Sequence, residues 1–414
     1  MAGDYLVGQS LATTPGENRI MRQFTLTQLL MAVWLVAIVL SFLGADGCGQ
    51  RFTKISDLAF SPDGKHLAVA KSDARDANVP MKGYLADVSR TVSLMDVATG
   101  RTVRVVDQEK RPGNQGPAFR LYSYLPKSVA FGPGGKTLLV RQLDDGTIKA
   151  YDLDPASLQP PTEVTTAEPA LNFAVAADGK HAAIITLDSL VSRDLESGNT
   201  ATSAMPSNAS AISPTLISLS PDGGLAVLAD WSAIELRKTA DGSLIKSVGW
   251  LNNGGRITAA TISPGGRSLA VGSDGWLRLY DLGTLQPQTL LTGQWITSVA
   301  FSRDGKTLAA ACEDRVLLVD IESGNKAAEF LSNGPITSLE YQPEGNLLAV
   351  GDTTGCVGLW NPRTCQLVRT IDVPGTLGVS WVWPAAVLVL WGLTCRWIWK
   401  RRHKAEQETV SEPA

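Results

Sequence analysis

The stretch AFGPGGKTLL, Ala130 to Leu139, admits two readings. Three glycines followed by Lys136 and Thr137 have the composition of a phosphate cradle. Such a loop needs Gly-x-x-x-x-Gly-Lys between a strand and a helix. Here the residue five before Gly135 is Ala130, and LLVRQL follows with the pattern of a strand. The second reading is a tight turn between two strands. The rest of the chain decides for it, because the same phrase recurs.

LAFSPDGKHLAVA begins at Leu58, VAFGPGGKTLLV at Val129 and FAVAADGKHAAII at Phe173. LISLSPDGGLAVL follows from Leu216, ATISPGGRSLAVG from Ala260, VAFSRDGKTLAAA from Val299 and LEYQPEGNLLAVG from Leu339. Asp-Gly between two alternating runs signals a hairpin, since glycine accepts the positive φ of the turn. The turn glycines are Gly64, Gly135, Gly179, Gly223, Gly266, Gly305 and Gly345, spaced by 71, 44, 44, 43, 39 and 40 residues. Five of those six steps match the length of a four-stranded propeller blade. His66 and His181 fall just past the turn in two copies and read as exposed hairpin residues rather than ligands.

Each unit also ends in a second hairpin, as in LMDVATGRTVRVV, LYDLGTLQPQTLL, LVDIESGNKAAEF and LWNPRTCQLVRTI. The pairs Met95-Asp96, Tyr151-Asp152, Tyr280-Asp281, Val319-Asp320 and Trp360-Asn361 mark the end of a third strand, with Arg193-Asp194 and Arg237-Lys238 as degenerate copies. This pattern resembles the WD-repeat family, although the Gly-His half of that family's signature is missing from every copy. The resemblance spans Ile55 to Ile371. It implies an all-β, seven-bladed propeller of four-stranded blades, running a to d from the inner strand outward, and a role in binding other proteins. Radial repetition of this kind leaves only short, protected sheet edges.

Two further segments carry no charge: Leu26 to Ala45 and Thr376 to Cys395. Each is about 20 residues, the length that crosses about 30 Å of hydrocarbon. Trp381 and Trp383 lie near one end of the second segment, Trp397 and Trp399 near the other, as in the aromatic belts of a membrane span. The expected fold is therefore a propeller flanked by an N-terminal and a C-terminal transmembrane helix. The expected division is a leader over 1–25, a first span over 26–45, a linker over 46–54 and the ring over 55–371. A linker over 372–375, a second span over 376–399 and a tail over 400–414 complete it. A second reading of the first segment is a cleaved signal peptide, for which Ala45-Asp46-Gly47 supplies a small-x-small site. The long leader and long apolar run favour the anchor.

Arg396, Lys400, Arg401, Arg402 and Lys404 follow the second span, so the positive-inside rule puts the C-terminus in the cytoplasm and the ring outside it. Trp381, Trp383, Trp397, Trp399, Lys400, Arg401 and Arg402 are the expected interfacial anchors. The family's strand order puts the start of strand a and the end of strand d on one face, so both spans leave from the face of the d–a and b–c loops. The exit linker is four residues, a reach of at most about 14 Å, which sets the ring close against the bilayer.

Blade one breaks the period. Its turn glycine and strand-c Asp are 32 residues apart against 15 to 17 elsewhere, and the step to the next glycine is 39 against 24 to 29. The excess is expected in a b–c loop, SDARDANVPMKGYLADVSR, and a d–a loop, DQEKRPGNQGPAFRLYSYLPK. The second carries Phe119, Leu121, Tyr122, Tyr124 and Leu125 among Lys110, Arg111 and Arg120. Aromatics with flanking cations suit a protein or lipid interface, and these eight residues are the candidate contact. The alternative is a loop packing over the rim of its own blade.

Lys plus Arg is 37 against 40 Asp plus Glu, a formal charge of −3, which argues against general nucleic-acid binding. Five scattered cysteines form no C-x-x-C pair, and three histidines leave little for metal or acid–base chemistry. No residue is assigned a catalytic, cofactor-binding or metal role. The expected function is a membrane-anchored interaction scaffold within a membrane complex, its partners a membrane protein and the bilayer. The rival is a propeller enzyme or small-ligand receptor using the central channel, and a third reading is a sensor reporting through the short tail.

Overall fold

A hairpin that reverses in two residues needs positive φ, and glycine supplies it without a Cβ clash. The computed structural model describes residues 51–76, 85–112, 129–142, 145–157, 159–164, 168–205, 216–230, 233–249 and 256–373. In it Gly64, Gly135, Gly179, Gly223, Gly266 and Gly305 have φ between 67° and 71°. Gly345 does not, contrary to its place in the repeat; a Cβ there would collide with Gln342 Oε1 instead. Serine and aspartate fix the rest of the turn. Ser61 Oγ donates to Asp63 Oδ1 at 2.6 Å and accepts from His66 N at 2.9 Å, while Asp63 Oδ1 accepts from Lys65 N at 3.1 Å. Ser220 with Asp222, and Ser302 with Asp304, repeat the arrangement. These serine hydroxyls hold all three carboxyls below the usual carboxylate range. The segment around Gly135 is strand, one 3-10 turn and strand, with no helix after it.

Seven four-stranded antiparallel sheets result, each in the order a-b-c-d. They occupy residues 51–112, 129–164, 172–204, 216–249, 257–292, 296–331 and 336–372. The third strand ends at Asp96, Asp152, Asp194, Lys238, Asp281, Asp320 and Asn361, the seven positions read from the sequence. With no family histidine to meet, the aspartates and Asn361 cap the c–d turns: Asp96 accepts from Thr99 N and Thr99 Oγ1, both at 2.6 Å, and Asp320 from Ser323 N at 2.8 Å. Blade four, with Arg237 where all blades but the third carry an apolar or aromatic residue, buries it beside Glu235; Arg237 Nε donates to Glu235 Oε2 at 2.9 Å.

The core is divided. Among the described residues there are seven apolar clusters, one between each pair of neighbouring blades. The pair formed by blades seven and one is no exception. Ile55, Leu58, Phe60, Leu67 and Val69 pack there against Val357, Leu359 and Ile371. Both blades consist of consecutive strands, so the ring closes by face packing with no strand exchanged.

One device repeats at the inner strands. A β-bulge falls after Ile55, Ile257, Ile296 and Ile336, placing Ser56, Thr258, Thr297 and Thr337 at the irregularity. A bulge re-aims a side chain out of the ladder. Thr258 Oγ1 donates to Ile296 O, Thr297 Oγ1 to Ile336 O at 2.9 Å, and Thr337 Oγ1 to Ile55 O at 2.5 Å. Each hydroxyl thus ties one blade to the inner strand of the next, across the seam as elsewhere. The isoleucine needs room: a Cβ on Gly351 would lie 2.6 Å from Ile55 Cγ2, and one on Gly272 2.5 Å from Ile296 Cγ2.

Blade one differs from the loop expectation. Its strands are Arg51–Phe60, His66–Asp76, Leu85–Asp96 and Thr102–Pro112, of 10 to 12 residues, against 6 in each strand of blade six. Residues 72–76 and 85–90 of the first excess segment and 107–112 of the second are therefore strand, and strand a begins at Arg51, inside the stretch read as a linker. The pairing runs unbroken from Lys71↔Thr91 to Ala74↔Val88. Between strands a and b, Thr53 Oγ1 donates to Asp73 Oδ1 at 2.9 Å. About four to five residues per strand extend the sheet by about 15 Å on the face of the d–a and b–c loops.

The seam gives a direct test. Gly351→Ala should destabilise the protein by about 1–3 kcal/mol through overpacking, and combining it with Ile55→Ala should cost less than the sum of the two single changes. Urea unfolding of the four proteins measures this; strict additivity would place Ile55 away from Gly351.

Candidate interaction surface

The chain enters at strand a of blade one and leaves after strand d of blade seven, on one face. Lys71 on the blade-one extension joins the two points, its Nζ donating to Val373 O at 2.7 Å. Among the described residues no helix is long and apolar enough to cross a membrane. Residues 26–45 and 376–399, with Trp381, Trp383, Trp397, Trp399, Lys400, Arg401 and Arg402, lie outside the described residues.

The blade-one extension is braced against blade two by a buried polar network. Arg90 is 1% exposed, and its NH2 donates to Glu109 Oε2 at 2.7 Å with Asp107 Oδ2 at 3.8 Å. Asp107 also accepts from Tyr151 Oη at 2.8 Å and Gln142 Nε2 at 3.1 Å. Burial lowers the Arg90 guanidinium from its usual value, opposed by Glu109 and Asp107. Burial, then the bond to Asp107, pushes the Tyr151 phenol up. Of the candidate contact residues, Lys110 and Arg111 lie on the extended outer strand rather than in a loop, and Lys110 is exposed. Phe119, Arg120, Leu121, Tyr122, Tyr124 and Leu125 lie outside the described residues.

The central channel contains a cavity of about 280 Å³ lined by the inner strands. Several of its polar side chains are engaged by backbone. Asp57 accepts from Leu58 N and from Val129 N of the next blade, both at 3.0 Å. Ser298 Oγ makes the same inter-blade bond to Leu339 N at 3.1 Å. Among the described residues no group of three or more His, Cys, Asp or Glu could hold a metal ion. His66 and His181, read as exposed, are half-buried, and His181 Nδ1 lies 2.5 Å from Asp178 Oδ2 within its own turn.

Sequence reasoning passed over the three most exposed large apolar residues among those described. Leu187 is 73% exposed, Leu331 61% and Trp295 59%. Leu187 is in the b–c turn of blade three, Trp295 in the connection into blade six, and Leu331 ends strand d of blade six. All three therefore lie on the entry and exit face. Single apolar residues at strand ends carry no periodic signal, so only the assembled ring groups them.

The family model described as WD domain, G-beta repeat, matches residues 47–79, 242–281, 285–319 and 325–361. Four stretches of this seven-bladed propeller thus match the WD40 repeat. The last three matches each run from strand d of one blade through strand c of the next, so the repeat straddles two folded sheets. Among curated proteins, the chain is 30% identical over 128 residues to the target of rapamycin complex subunit wat1 of Schizosaccharomyces pombe, covering 29% of this chain and 41% of that one. It is 28% identical over 132 residues to the COMPASS component SWD3 of Saccharomyces cerevisiae, covering 31% and 42%. It is 28% identical over 126 residues to the target of rapamycin complex subunit LST8 of Mus musculus, covering 29% and 39%. The chain thus spans about two fifths of the length of each relative.

The network at blades one and two is testable. Arg90→Met removes the buried cation that Asp107 and Glu109 share. It should cost about 3–5 kcal/mol in urea unfolding, against about 1 kcal/mol for Tyr151→Phe. Equal small losses in both would mean that the extension is not braced by the ion pair.

Proposed function

We propose that this chain is a membrane-anchored, non-catalytic propeller that serves as an interaction subunit of a membrane protein complex. The observation that carries the reading is the meeting of both chain ends on one face, at adjacent blades, directly inside two uncharged segments of membrane-spanning length. A ring tethered twice at one point has a fixed side toward the bilayer and presents the rest of its surface to partners. The basic cluster Arg396 to Lys404 favours a cytoplasmic C-terminus and an extracytoplasmic ring. The blade-one extension lies on the tethered face, so the other blades stand off from the bilayer by about its length. That modifies the flush arrangement expected from the four-residue exit linker. Relatives named as subunits or components of complexes support the scaffold reading, as does a fold that offers many independent loops for binding. The segment 113–128, with Tyr122 and Tyr124, joins the braced extension to blade two and is a contact in this reading.

Cysteine labelling of intact cells tests the topology. In a cysteine-free background, a membrane-impermeant thiol reagent should modify Asp304→Cys on an a–b turn and spare Glu408→Cys in the tail. Labelling of the tail alone would reverse the topology. Purification in mild detergent tests the scaffold role. Tyr122→Ala with Tyr124→Ala should weaken co-purification of the partner by about 1–3 kcal/mol and leave the melting temperature unchanged. A lowered melting temperature with the complex whole would make the segment a lid on its own blade.

A further inference from the structure

Trp295 and Leu331 stand at the two ends of one row across blade six. The register sets Ile296 against Cys312, Cys312 against Arg315 and Arg315 against Leu331. Trp295 precedes the first of these and Leu331 is the last, so a strip of about 15 Å, three strand spacings, separates them. Glu313 and Asp314 form the b–c turn between the two, both exposed, and Glu313 is held at φ 53°. The turn is anchored on both sides: Ser332 N donates to Asp314 O at 2.7 Å and Ile336 N to Glu313 O at 2.6 Å. The strip is therefore two large exposed apolar side chains flanking a fixed pair of carboxylates.

The charge around it is mainly acidic. On the described b–c turns and d–a connections of blades two to seven, the exposed charged residues are Asp145, Asp188, Asp274, Glu313 and Asp314 against Arg256, and the half-buried Arg315 opens strand c within the strip itself. An anionic lipid surface is repelled by that set. A cationic polypeptide is attracted, and an apolar side chain on it would have Trp295 or Leu331 to cover. Aromatic anchors surrounded by complementary charge are the usual composition of a binding hot spot.

We propose that the blade-six strip of Trp295, Glu313, Asp314 and Leu331 is a docking site for a lysine- or arginine-rich segment of a partner protein that carries at least one apolar side chain. The proposal rests on the scaffold reading and names the chemistry of one partner. The stand-off produced by blade one leaves this strip accessible on the tethered side, where a segment adjoining a partner's own membrane span would lie.

The test uses the full chain in neutral detergent micelles, with empty micelles as the blank. The probe is a fluorescein-labelled decapeptide of six lysines, one leucine and three glycines; its counterpart replaces lysine by glutamate. Fluorescence anisotropy should show saturable binding of the lysine peptide that weakens with added salt, and none of the glutamate peptide. Trp295→Ala with Leu331→Ala should weaken binding at least tenfold at an unchanged melting temperature. Glu313→Gln with Asp314→Asn should flatten the salt dependence. Arg303→Ala with Lys306→Ala, on the opposite face, should change nothing. Equal binding by the apolar double variant and the unmodified protein overturns the proposal, as does equal binding of the two peptides. So does a lysine peptide that fails to bind while phosphatidylcholine vesicles capture the protein through Trp295, which would make the strip a lipid contact. Failure of the membrane reading itself would appear separately, as full-length protein in the soluble fraction of lysed cells.

Discussion

The ring depends on how one blade holds the next, and the inner-strand bulge is where that is decided. A threonine displaced from its own ladder donates to the carbonyl of the following blade's isoleucine, and that isoleucine fills the space left by a glycine on the preceding blade's second strand. Thr337, Ile55 and Gly351 repeat at the seam what Thr258, Ile296 and Gly272 do between blades five and six. A closed ring of consecutive sheets has one junction that chain connectivity does not enforce. Here that junction repeats the contacts made between blades five and six, with Lys71 and Arg369 adding bonds across it. The chain ends are therefore not consumed in closure and both remain available on one face.

That availability links fold to function. In a ring whose first and last strands lie in adjacent blades, whatever is attached to the two ends is attached at one place. The extension of blade one then acts at the same place. Its sheet continues past the ring, Thr53 bonds Asp73 within it, and Arg90 with Asp107, Glu109 and Tyr151 fixes it to blade two. A hydrophobic extension would have been an aggregation-prone edge; a charged one ending in Pro112 protects its outer strand.

The sequence displayed the architecture because the Ser-x-Asp-Gly turn and the strand-c Asp recur in register. Each has a local cause, positive φ at the glycine and a capped turn at the aspartate, and local causes leave local signatures. Blade count and strand ends were legible for that reason. The extension of blade one was not, because DARD and DQEK read as loop when their partners are unknown; only pairing with residues 9 to 24 positions away makes such residues strand. Gly345 shows the opposite limit, since a glycine in register was required for space beside Gln342 and not for φ. Of the candidate contact, Lys110 and Arg111 were placed in the right neighbourhood but on a strand. Trp295, Leu187 and Leu331 gave no signal, because what distinguishes them is the face they share once seven sheets have closed.

The central claim is that the face bearing the d–a and b–c connections is turned toward a bilayer and held off it. Energy transfer to acceptor-labelled lipid headgroups in nanodiscs measures this most directly, with donors placed singly at position 187 on that face and position 304 on the other. The account predicts stronger transfer from 187 than from 304, with transfer from a donor at 110, on the extension, the strongest of the three. Equal transfer from 187 and 304, or the reverse order, would contradict it.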